Sequence, residues 1–156
     1  MKNSTKIIVA AGIAMTLSVG TVAASAHDGS TGNKDADMRI MKMKELGGGM
    51  KAIAGFAKGQ AEFSPALETH AKRIVEISKE MKTLFPEGSG GPKTRSKDEI
   101  WAQPDAFGKA ADNFEAAAAK LMTAVMTKDQ ATIGAALGAT GKTCGGCHKP
   151  FRTPKH

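Results

Sequence analysis

The 156-residue chain has only two cysteines, one tryptophan and no tyrosine. With no further cysteine, and with His27, His70 and His156 in no paired spacing, the chain falls short of the roughly four ligands that a structural zinc site uses. Strand-type alternation is absent, so the strand-to-helix turn required by a thioredoxin-like cysteine pair has no setting. Aromatic residues make up 4% of the chain, and no basic run is interleaved with them. Nucleic acid is therefore not an expected partner. No activated nucleophile, acid–base pair or phosphate loop stands out, and an enzyme is not expected. After Ala24 there is no apolar run long enough for a membrane span.

What the chain does have is Cys144-Gly145-Gly146-Cys147-His148, close to its end. Cys-x-x-Cys-His is the attachment signature of c-type haem. On a helix, positions i, i+3 and i+4 share one face. Both thiols then reach one porphyrin edge, and the His148 imidazole rises from the same face as an iron ligand. A disulfide across two residues would leave His148 unexplained.

The amino terminus agrees with haem attachment outside the cytoplasm. Lys2 and Lys6 precede an apolar stretch from Ile7 to Ala24, and Ala24-Ser25-Ala26 forms an A-x-A cleavage site. This pattern predicts a secretory signal peptide over residues 1–26 and a periplasmic mature domain over 27–156. An uncleaved anchor is the alternative. Losing two lysines and no acid lowers the formal charge from +7 to +5. That surplus suits an acidic partner or surface. His27-Asp28 at the new terminus offers weak divalent-metal binding, the basis of a remote reading as a haem-free helical metal-binding protein.

Helical periodicity runs through the rest. The first helix is expected from about Lys34 to Lys58, with Met43, Leu46, Met50, Ile53 and Ala57 on one stripe. Gly47 to Gly49 interrupt it at about 1 kcal/mol each relative to alanine. Either a close neighbour or a break explains them. Ser64 and Pro65 start a second helix, as N-cap and first residue, and Pro86 stops it. Its inner face carries Leu67, Ala71, Ile74, Ile77 or Ser78, Met81 and Leu84. Residues 86–103 read as a long loop holding Trp101, of a length that is often functional. A third helix spans about Pro104 to Lys128, with Phe107, Phe114, Leu121 and Val125 inward. A fourth begins near Asp129 and carries Ile133, Leu137, Thr140 or Gly141, and Cys144 on one face. The expected fold is all-α, an antiparallel four-helix bundle in one domain.

A haem motif at the end of four helices resembles the class II c-type cytochromes, the cytochrome c-prime family. Cys144 to Arg152 is similar to the family's C-x-x-C-H-x-x-aromatic-Arg ending. Leu84-Phe85-Pro86-Glu87-Gly88-Ser89 resembles its loop after the second helix. Glu99 to Pro104, with Phe107 following, resembles its lead into the third helix. Arg39 and Met43, followed by Gly47-Gly48, resemble the first helix of the low-spin branch. The resemblance implies one covalent haem c. It implies thioether bonds at Cys144 and Cys147, and His148 as proximal ligand. It places Arg39 near a propionate, Arg152 near the proximal histidine and Trp101 packed near the haem. It also implies that Met43 is the sixth ligand and that the protein transfers electrons to redox partner proteins. Met/His ligation raises the reduction potential. Were Met43 only core filler, the iron would be five-coordinate and open to nitric oxide or carbon monoxide. The family often pairs through its first two helices, so a homodimer is also an open expectation. One departure is Pro150, two residues after His148, which is expected to kink or end the last helix and to displace Arg152.

Overall fold

The structure is a computed structural model, and it describes residues 30–154. The expected leader, the His27-Asp28 terminus and His156 lie outside the described residues. Helix α1 (Lys34–Ala57) starts at Asn33, whose side chain accepts from the amides of Asp35 and Ala36. Two of the unpaired donors at the helix start are thereby satisfied. Asp35 and Asp37 in the first turn favour the positive end of the helix dipole. The helix runs unbroken through Gly47, Gly48 and Gly49. A Cβ at Gly49 would lie 3.3 Å from Ile74 Cδ1 on the next helix, whereas Gly48 faces open space. Close approach of a neighbour thus explains one of the three glycines.

Helix α2 (Pro65–Glu80) has proline at its first turn as expected, but the Ser64 side chain makes no capping hydrogen bond. The helix also stops before Pro86. Met81 N–H donates to Ser78 O at 3.2 Å, which tightens the last turn. Met81 and Leu84 still reach the core. The connection that follows is not wholly irregular, because residues Glu99–Ala102 form a one-turn helix, α3. Helix α4 (Pro104–Thr127) ends where Lys128 adopts a left-handed φ of 57°. This reverses the chain within two residues. Asp129 then caps α5 (Gln130–Phe151) by accepting from Thr132 N–H at 2.7 Å. Pro150 does not end α5 early: the helix continues to Phe151, and Arg152 N–H closes its last turn on His148 O at 3.0 Å.

The four long helices form a ring in which α1 packs on α2 and α5, and α4 packs on α2 and α5. No strand occurs among the described residues, apart from one isolated bridge between Ser96 and Arg152. Ile53, Ile74, Ile77, Leu121, Val125 and Ile133 are fully buried at the centre. Each such aliphatic side chain contributes about 1.5–3 kcal/mol through burial. A smaller cluster of Ile100, Phe107 and Phe151 lies near one end of the bundle, with Phe85, Trp101 and Cys147 against it. No described helix is long and apolar enough to cross a membrane.

The glycines of α1 should respond differently to substitution. Gly48→Ala is expected to stabilise the protein by about 0.5–1 kcal/mol, since it gains helix propensity in open space. Gly49→Leu is expected to destabilise by about 1–3 kcal/mol by overpacking Ile74. Denaturant unfolding of both variants against the parent checks this; equal shifts would refute the close-approach explanation.

Candidate cofactor site

Helix α5 presents Cys144, Cys147 and His148 within about one turn, all partly buried. Cys144 packs against the main core and Cys147 against the smaller cluster. Neither sulfur is in a disulfide. No group of three or more His, Cys, Asp or Glu side chains converges as a metal site among the described residues. Cys147 and His148 open onto a cavity of about 450 Å³, and Met43 of α1 lines the same cavity. The first and last helices thus bring a thioether and an imidazole to one space.

The walls are apolar and aromatic. Phe85, Phe107 and Phe151 form a chain of edge-to-face rings, with centroids 4.8 and 5.4 Å apart in sequence. Such pairs are worth about 0.5–1.5 kcal/mol beyond their burial. The rim is cationic: Arg39, Lys44, Lys93, Arg95 and Arg152 line the cavity and no carboxylate does. None of the five takes part in an ion pair among the described residues. His148 feels both environments. Burial lowers its pKa most, and the positive charges of Arg152 and Arg95 lower it further. The ring is therefore neutral near pH 7, with a lone pair free to ligate a metal. Burial raises both cysteine pKa values, so the uncoupled sulfurs are thiols at that pH.

Arg39 is 3% exposed. Its guanidinium donates to Leu84 O at 3.0 Å, to Ser89 Oγ at 2.9 Å and to Ser89 O at 2.8 Å. It also stacks 4.5 Å from the Phe85 ring centroid. Arg39 is thus a wall residue of the cavity whose donors hold the loop after α2, a role that spacing on α1 did not announce. Trp101 is not among the cavity-lining residues. Its indole N–H is shared between Phe85 O at 3.0 Å and Pro86 O at 3.1 Å. Its ring closes on Gly90, where a Cβ would come within 2.9 Å. Arg39 and Trp101 therefore grip one loop from two sides and set Phe85 in the cavity wall.

The carboxyl end closes the opposite edge. Arg95 donates to Thr153 O through Nε at 2.9 Å, and Lys97 N–H donates to Phe151 O at 3.1 Å. Arg152 is exposed, at the cavity mouth. Sequence reasoning missed Ile40, Lys44, Lys93 and Arg95 as cavity residues. The two lining positions on α1 directly follow Arg39 and Met43 in sequence, a usable signal; the loop residues had none, because only the clamp to Thr153 brings them in.

These groups fit a covalent haem. The volume lies within the usual range for cofactor pockets, and the cationic rim complements carboxylates. Cys147, a neutral imidazole and the Met43 thioether line the cavity, and Cys144 lies one turn back on α5 against the main core. A second, larger hollow of about 1180 Å³ lies between α4 and α5 and shares only Cys147 and Phe151 with this cavity.

A family model described as "Cytochrome C'" matches residues 35–152. The chain is 37% identical over 117 residues to a cytochrome c' of Pararhodospirillum photometricum, covering 74% of this chain and 94% of the relative. It is 32% identical over 122 residues to a cytochrome c-556 of Agrobacterium tumefaciens, covering 78% and 98%. Among solved structures, the cytochrome c' of Rubrivivax gelatinosus superposes with a TM-score of 0.70 at 32% identity, covering 76% of this chain and 94% of that one.

Replacing Arg39 by Met should strand the acceptors at Leu84 and Ser89, each at about 1–3 kcal/mol if it stays buried and unpaired. Arg39→Lys should recover little, because an ammonium lacks the planar fork. Unfolding midpoints of the two variants test this, and full rescue by Lys would refute the forked-donor role.

Proposed function

Given that the chain belongs to the cytochrome c' family, whose members carry one covalently bound haem c, we propose that it is a periplasmic one-electron carrier with His148 and Met43 as the two axial ligands. The observation that carries this reading is that His148 of α5 and Met43 of α1 line one cavity. The haem, when bound, supplies the Fe(III)/Fe(II) couple.

The chain's own residues do the rest. Cys144 and Cys147 tether the cofactor to α5. His148 offers its neutral nitrogen, held uncharged by burial and by Arg152 and Arg95. Met43 offers a soft sulfur from the neighbouring helix α1, a ligand pair that favours the reduced state. Phe85, Phe107 and Phe151 keep water out, and the cationic rim receives the carboxylates and opposes loss of an electron. Were His148 and Met43 both to hold the haem iron, no substrate would need to reach it. The protein acts without enzymatic turnover, exchanging electrons with redox proteins outside the cytoplasm, in keeping with the export signal over residues 1–26.

A second reading is supported by the packing of Met43 against the main core. If the thioether serves only there, the position opposite His148 is open to nitric oxide or carbon monoxide. A structure of an engineered mutant of cytochrome c prime from Alcaligenes xylosoxidans is a nitric oxide complex, at 23% identity and a TM-score of 0.71; that likeness carries the fold alone. A cytochrome c' at 28% identity is described as having ligand-controlled dimer dissociation, and pairing through α1 and α2 is the corresponding expectation for this chain.

Absorption spectra separate the two readings. The electron carrier should be low-spin in the ferric state, with a thioether-to-iron charge-transfer band, and its ferrous form should resist carbon monoxide. Met43→Ala should abolish the band and speed carbon monoxide binding by at least about tenfold, one decade being about 1.4 kcal/mol of barrier. A high-spin parent with rapid carbon monoxide binding, unchanged by Met43→Ala, would establish the gas-binding reading instead.

A further inference from the structure

We propose that the groove between α4 and α5 is a docking surface for an acidic amphipathic helix of a protein redox partner. The groove has a volume of about 1180 Å³ and follows α4 from Ala106 to Thr127, a length of about 30 Å at the helical rise per residue. Alanine is the commonest residue of its walls, followed by threonine, with Gly146 near one end. Such side chains leave a trough between two helix backbones, and an amphipathic helix laid along it can insert a row of apolar side chains.

Charge selects the kind of helix. Lys109, Lys120 and Lys142 line the groove and are exposed, and no carboxylate lines it. None of the three is ion-paired among the described residues. Helix α5 contains no acidic residue along its whole length. On α4, Asp112 is paired instead with Lys82, in the turn just after α2, at 2.6 Å. An incoming helix with carboxylates flanking an apolar row meets complementary charge, which speeds encounter and fixes orientation. A second copy of this chain would bring the same three cations, so charge opposes self-association here.

Position gives the groove its use. Cys147 and Phe151 line both the groove and the cofactor cavity. A helix seated there lies one layer of side chains from the haem tether. The partner's redox role rests on the electron-transfer reading above; the shape and charge of the groove do not.

The test uses the haem-loaded protein and a synthetic 20-residue helical peptide whose Leu/Ala stripe is flanked by glutamates, with a lysine-flanked control. Amide chemical shifts should show saturable binding of the acidic peptide along α4 and α5. The triple variant K109E/K120E/K142E should weaken it at least tenfold. Ala139→Trp, which fills the trough and leaves the charge unchanged, should weaken it as well. Equal binding of the control peptide, no effect of the triple variant, or preferential binding of phosphatidylglycerol vesicles through the same lysines would overturn the proposal. Electron exchange between the parent and a small soluble mediator is measured alongside. Its failure with intact peptide binding would overturn the partner's redox role; its success without peptide binding would overturn the docking surface alone.

Discussion

The buried guanidinium of Arg39 fixes the cofactor end of the bundle. It is rooted in α1, one turn before Met43, and all its observed hydrogen bonds go to the loop at Leu84 and Ser89. Burying a cation is unfavourable unless its donors are satisfied, and here three acceptors of one short loop satisfy them. The loop therefore cannot drift from α1 without stranding the charge. That contact sets Phe85 in the cavity wall and joins the helix that carries the candidate sixth ligand to the segment covering the site. Trp101 holds the same loop from the other side through its indole N–H.

Around that anchor the bundle solves a conflict between packing and vacancy. Protein interiors are filled to near-crystalline density, yet a flat cofactor needs a large hollow. The chain separates the two demands along the bundle axis. Large aliphatic residues fill the central layers. Near the end that carries Phe107 and Phe151, aromatic rings line a hollow whose rim is cationic. Burial, helped by two of those charges, Arg152 and Arg95, keeps His148 neutral, so the setting that prepares the metal-ligating nitrogen also receives anionic groups. The outer groove between α4 and α5 follows from a different economy, since the small residues there leave the two helices without bulk on their solvent side.

Much of the helical pattern was legible because it is local. Leu67, Ala71, Ile74, Ile77, Met81 and Leu84 keep helical spacing and all are buried. Asp129 caps α5 as its chemistry suggests. Where local signals failed, longer-range contacts had taken over. The Ser64 hydroxyl does not cap α2. Residues 99–102 coil into a turn of helix that composition alone reads as loop. Pro150 is tolerated within the last turn of α5, whose end is clasped by the 95–97 segment.

By itself the chain determined that two cysteines and a histidine share one helical face, and that four amphipathic helices would close around a core. Periodicities of three and four residues are properties of a single helix and need no partner to be read. Only the tertiary structure decided that Met43 opens onto the cavity of His148, that Arg39 spends its donors on a loop some fifty residues away, and that Arg95 joins the rim. Those outcomes depend on which helices become neighbours and at what height. Spacing along one chain segment cannot encode that, because the contacts form between segments whose relative placement is set by the packing of the whole bundle.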